Sequence, residues 1–239
     1  MSPEQIVDGL VFYLVFVYST SLHEAAHAWA AWKGGDSTAY DGGQVTLDPL
    51  PHIRREPIGM VVLPLVSVLI SGWPLGFASA PYNRAWAERH PDRAGWMALA
   101  GPAANLLLVL LAGIAINVGL GFGVFFPPDQ IGFADVTAAT AGAESLWNAG
   151  GYLIGSVFAM NLLLFVFNLL PVPPLDGSAV VVLFLPEGSK GRYQRALWSN
   201  AGLSLFGIVI AWQVFDFFFD PAFTLALNAL YFLAGVSYS

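Results

Sequence analysis

The chain has 239 residues; 56% are hydrophobic, only 10% are charged and none is Cys. A soluble domain carries about 25% charged residues, so nine Lys+Arg and sixteen Asp+Glu cannot cover a water-soluble globule of this size, and a soluble enzyme, a disordered protein and a disulfide scaffold are excluded. The net charge of −7 argues against a nucleic-acid partner, which needs a basic face, and a multi-pass membrane protein with the lipid bilayer as its partner remains.

Crossing a bilayer takes about 20 apolar residues. In chain order the qualifying stretches are 10–32, 57–83, 97–126, 149–170 and 196–215, with a shorter one at 221–236 and a brief apolar run at 179–185. These predict an all-α polytopic fold of about five or six transmembrane or re-entrant helices. It is expected to form one membrane-embedded domain over 1–239, with a core at about 10–185 and C-terminal helices at about 196–239. Between the first two stretches, Gly42-Gly43 signals a turn and residues 44–48 alternate polar and apolar, which predicts a short strand or hairpin after the first helix.

Basic residues orient membrane helices toward the cytoplasm. Lys33, Arg54 and Arg55 follow the first stretch, Arg84, Arg89 and Arg93 precede the third, and Lys190, Arg192 and Arg195 precede the fifth, whereas the loop 127–148 has no Lys or Arg. The first helix should therefore run inward, the third outward and the fourth inward. The second stretch has basic residues at both ends and contains Pro64, Pro74 and Pro81. It fits a re-entrant segment, in which broken backbone is covered by protein or water, and equally a single kinked crossing.

Four His are present, two of them in His23-Glu24-Ala25-Ala26-His27. Residues four apart share a helix face, so both imidazoles can reach one ion, with Glu24 beside them to handle the proton of a bound water. His27 precedes Lys33 by six residues, which puts the motif about 9–15 Å inside the apolar span. Without Cys the rest of the metal site must come from His or carboxylates. The candidates are Asp176, His52, His90, Asp216 and Asp220. His90, among charged neighbours, is expected to be solvated, and Asp216 and Asp220 to lie on the far side. His52 follows Pro51 near Arg54 and Arg55 and is expected to stay solvated, close to the site. Asp176 sits between two apolar runs and, by the orientation above, on the same side as His23 and His27. Asn105, an amide at membrane depth in Ala100-Gly101-Pro102-Ala103-Ala104-Asn105, fits either an interhelical hydrogen bond or a donor to a substrate carbonyl.

His23-Glu24-x-x-His27, Gly101-Pro102-x-x-Asn105 and Asn168-x-x-Pro171-x-x-x-Leu175-Asp176-Gly177 together resemble the site-2 protease family of intramembrane zinc metalloproteases. The resemblance extends from the first helix to about Leu185. It implies Zn2+ as cofactor, His23, His27 and Asp176 as its ligands, and Glu24 as the catalytic base. It also implies a transmembrane protein as substrate, cut near the cytoplasmic side of the cell membrane, and Asn105 matches the family's asparagine near the site; Asn105 and His52 are the candidate substrate or oxyanion groups. A chain of this length leaves no room for PDZ-like or CBS-like domains, so the resemblance is to a minimal form. The rival reading is a non-proteolytic membrane zinc-binding protein or transporter. A transporter would be expected to carry His or acidic residues along a path to both faces.

Overall fold

The computed structural model describes residues 3–140, 145–199 and 201–238. Lipid offers a backbone no hydrogen-bond partner, so the apolar stretches satisfy themselves as helices. First comes α1 (Pro3–Lys33), then the short α2 (Thr38–Asp41) and α3 (Pro49–Arg55). A wide helical turn at Ile58–Val62 continues into α4 (Leu63–Ser71), followed by α5 (Arg84–Arg89) and α6 (Pro91–Gly121). The strands β1 (Phe125–Phe126) and β2 (Ala138–Ala139) pair antiparallel. Next are α7 (Leu146–Leu169), α8 (Asp176–Val180), α9 (Glu187–Ser199) and α10 (Ala201–Tyr231). Among the described residues, α1, α6, α7 and α10 are long and apolar enough to cross a membrane. Several helix starts carry capping signals. Asn83 Oδ1 accepts from Ala85 N at 2.9 Å to cap α5, Pro91 opens α6, and Ser145 Oγ accepts from Asn148 N at 3.1 Å to cap α7.

Four apolar clusters hold the described residues together, two of them central to the bundle. One joins α6, α7 and α10 through Val109, Ile116, Phe158, Leu162, Leu227 and Tyr231, and the Tyr231 hydroxyl donates to Val136 O at 2.6 Å. The other packs Val15, Phe16 and Val17 of α1 on Met60 and on Met160 of α7. The end of the bundle where α1 finishes and α6 begins is stitched by polar groups. Gly34 O accepts from Trp86 Nε1 and Arg93 Nη1 at 3.1 and 3.0 Å. Lys190 Nζ donates to Asp92 at 2.5 Å, and Asp92 and Glu187 hold its ammonium above the usual lysine range. Trp198 Nε1 donates to Tyr82 Oη at 3.0 Å. The cations of 33, 84–93 and 190–195 thus gather at one end.

The second apolar stretch doubles back. Its outgoing limb is α4, which runs to the start of α1: a Cβ on Gly9 would lie 2.5 Å from Val68 Cγ1 and 3.6 Å from Gly72 O. Gly72, at φ +74°, makes the turn in the left-handed region that glycine tolerates. The extended return lies against the outgoing limb, with Phe77 N donating to Gly59 O at 3.0 Å and Arg55 Nε to Ser79 O at 2.9 Å. Asn83 N then reaches Asp36 Oδ2 at 2.7 Å, beside the end of α1. Arg54 and Arg84 therefore flank one hairpin whose two limbs lie side by side.

Two expectations are corrected. The short hairpin expected after the first helix is present as β1 and β2, but not at residues 44–48, of which 45–47 are bends. The alternation was real, but its backbone is used locally: Gln44 N donates to Ala39 O, Asp48 N to Thr46 Oγ1, and Thr46 O accepts from His52 Nε2. The stretches 196–215 and 221–236 do not form two elements; α10 runs through Pro221 as one helix of 31 residues.

Candidate metal centre

Two elements distant in sequence deliver three donors to one point. The i, i+4 spacing on α1 stacks His23 and His27, whose Nε2 atoms lie 2.9 Å apart. Asp176, the first residue of α8, brings Oδ2 to 3.0 Å from His23 Nε2 and 3.3 Å from His27 Nε2. His23 and His27 are each 5% exposed, and the three donor atoms lie within 4.8 Å of one another. Glu24 is 5% exposed, and its Oε2 is buried with no hydrogen-bond partner among the described residues.

The outer ring nitrogens decide what the inner ones can do. His27 Nδ1 lies 2.7 Å from Met97 O, and a carbonyl only accepts, so Nδ1 carries the proton. His23 Nδ1 lies 2.6 Å from Asn105 Oδ1, likewise an acceptor. A neutral imidazole protonated on Nδ1 has its lone pair on Nε2. Two lone pairs and a carboxylate oxygen then converge, and such a set repels itself unless a cation sits among them. Two imidazoles and one carboxylate match the three protein ligands of catalytic zinc sites, which keep a further position open.

Glycine makes this convergence possible. On α6, a Cβ at Gly101 would lie 2.3 Å from His27 Nε2 and 2.5 Å from His23 Nε2. The two nitrogens therefore meet against the bare Cα face of Gly101. At α8, a Cβ on Gly177 would lie 2.2 Å from Leu169 O, so the Asp176-Gly177 pair is the sequence that lets this turn pack under α7.

The other expected residues lie elsewhere. His52 is not solvated: it is 2% exposed, its Nε2 donates to Thr46 O at 3.1 Å, and its Nδ1 is buried without a partner among the described residues. His90 is half-buried at the start of α6, its ring centroid 6.3 Å from that of Trp86. Asp216 and Asp220 are exposed on α10. None of these four joins the donor cluster. Asn105 is fully buried with its amide spent inside the protein: Oδ1 faces His23, and Nδ2 donates to Asn161 Oδ1 at 2.9 Å. Sequence reasoning missed Met97, whose contribution is a backbone carbonyl, and Asn161, one more polar residue in an apolar helix.

The chain is similar to proteins named as zinc metalloproteases. YwhC of Bacillus subtilis is 32% identical over 195 residues, which cover 79% of this chain and 76% of that protein. Rip2 of Mycolicibacterium smegmatis is 31% identical over 79% of this chain and 64% of its own length. Rip2 of Mycobacterium tuberculosis is 30% identical, over 78% and 61%. The chain therefore spans just under two thirds of the two Rip2 proteins. No family model matches it, and no solved structure does.

Proposed function

The chain belongs to the site-2 protease family of zinc metalloproteases, and we propose that it is an intramembrane endopeptidase of the cell membrane that cuts transmembrane proteins near the cytoplasmic face. The observation that carries this reading is the meeting of His23, His27 and Asp176 beside an unpartnered Glu24, on helices long enough to cross a membrane.

In this reading His23 Nε2, His27 Nε2 and the Asp176 carboxylate hold zinc. When bound, zinc supplies a Lewis acid for the scissile carbonyl and makes water acidic enough to ionise near neutral pH. Glu24 is the base. Its Oε2 has no partner among the described residues, so it is free to take a proton from the attacking water and return it to the leaving amide nitrogen as the C–N bond breaks. Burial of the His pair excludes bulk water from its far side and strengthens every charge interaction at the site. His52, on α3 packed against α1, is the proposed substrate-side group. The cytoplasmic assignment rests on the retention of basic residues on that side. His27 lies about 9 Å along α1 from Lys33, toward the end of the bundle where the cations gather.

Glu24→Gln keeps the size of the side chain but cannot accept the proton. Metal content and cleavage of a transmembrane substrate are measured on one purified sample of this variant. Zinc should be retained while cleavage falls by about 10²–10⁴-fold. Full zinc with full cleavage would reject the assigned base, and a zinc carrier would keep both binding and flux.

A further inference from the structure

A primary amide is nearly symmetric in shape but not in polarity. Asn105 serves His23 only if its oxygen, not its NH2, faces the ring. Turned the other way, it would donate to His23 Nδ1, move the ring proton to Nε2 and block the nitrogen that points at Asp176. Something must therefore set the sense of this amide.

The setting comes from α7. Asn161 is 0% exposed, as is Asn105. Asn161 Nδ2 lies 2.8 Å from Val157 O and 2.9 Å from Ser19 Oγ. Val157 O is a backbone carbonyl and can only accept, so it holds the NH2 end of Asn161 and turns Oδ1 toward Asn105. An amide oxygen also only accepts, so Asn105 must present Nδ2 to it, at 2.9 Å. Asn105 Oδ1 is then left to face His23 Nδ1 at 2.6 Å. Each step is forced by the one before, from a fixed backbone carbonyl to the ring proton of His23. His27 needs no relay, because Met97 O plays the same part directly.

We propose that Asn161 is a positioning residue that fixes the sense of the Asn105 amide and thereby holds His23 in the tautomer with Nε2 free for metal. This rests on the metal reading of His23 given above. Ser19 is a secondary partner, since Val157 O alone sets the sense of Asn161.

The test is a double-mutant cycle read by zinc affinity, measured by chelator competition on the detergent-solubilised full chain. Loss of a group that orients a metal-bound histidine costs about 10–100-fold in metal affinity, and Asn161→Leu should fall in that range. Asn105→Asp places a carboxylate that accepts from His23 Nδ1–H whichever way it is turned, although its second oxygen then opposes the acceptor Asn161 Oδ1 and takes part of the affinity. Adding Asn161→Leu to Asn105→Asp should then cost almost nothing. An equal loss in both backgrounds would show that Asn161 only packs, and would overturn the proposal.

A second measurement needs no variant. Nitrogen-15 shifts of the His23 ring in metal-free protein, at a pH where the ring is neutral, should show the proton on Nδ1; a proton on Nε2 overturns the proposal even if Asn161→Leu fails to fold. If the unaltered protein binds no zinc, the ligand reading fails by itself, and the ring shifts still decide the tautomer.

Discussion

Gly101→Ala adds one methyl group where the two imidazoles meet. The added Cβ would lie 2.3 Å from His27 Nε2 and 2.5 Å from His23 Nε2, against 3.4 Å for ordinary contact. Each ring tip must therefore retreat by about 1 Å, several times the roughly 0.2 Å by which metal–ligand distances vary. Overpacking of this kind costs about 1–3 kcal/mol, and each 1.4 kcal/mol is about tenfold in affinity. Zinc affinity should thus fall by about 10–100-fold. Alanine is also about 1 kcal/mol better than glycine inside a helix, which offsets part of the repacking cost in α6. The signature is a separation of two readouts: chelator competition shows the loss, while the melting temperature of the metal-free protein moves little. A folded Gly101→Ala protein with unaltered zinc affinity would refute the reasoning, because the nitrogens could not then converge on that face.

Asp176→Ala should abolish stoichiometric zinc, measured by metal analysis after desalting. His52→Ala should retain it, at the stability cost of emptying a site that is 2% exposed; the reverse pattern would transfer the ligand role to His52. Single cysteines introduced as Arg54→Cys and Arg84→Cys, both exposed positions in a chain without Cys, should be labelled by a membrane-impermeant thiol reagent from the same side. Labelling from opposite sides would turn the hairpin into a crossing.

What could be read from the sequence was what depends on local spacing or on gross composition. The His23–His27 pair is a matter of helical period, and charge scarcity alone implied a membrane. Asp176 stood out because a carboxylate between apolar runs needs a partner. Pairing between distant segments was harder to see. Residues 44–48 alternate as a strand does, but alternation cannot report whether a neighbouring strand exists, and here Thr46 and Asp48 spend their backbone groups locally. His52 looked solvated beside two arginines, yet α3 turns it inward. Gly101 stood inside a legible motif; that two ligating rings would pack against it was not legible. The sense of the Asn105 amide depends on Asn161, 56 positions away, and no periodicity in either helix points to that pairing.

The separation of the donors along the chain has a consequence for biosynthesis. His23 and His27 leave the ribosome in the first helix, whereas Asp176 follows His23 by 153 positions. At about 5–20 residues per second, the nascent protein carries the paired imidazoles for on the order of ten seconds before the carboxylate is made. Throughout that interval the inserting chain holds at most two of the three donors. The site can close only after α7 has entered the membrane and delivered α8 beneath α6. Order of synthesis thus makes the complete donor set a late property of the molecule.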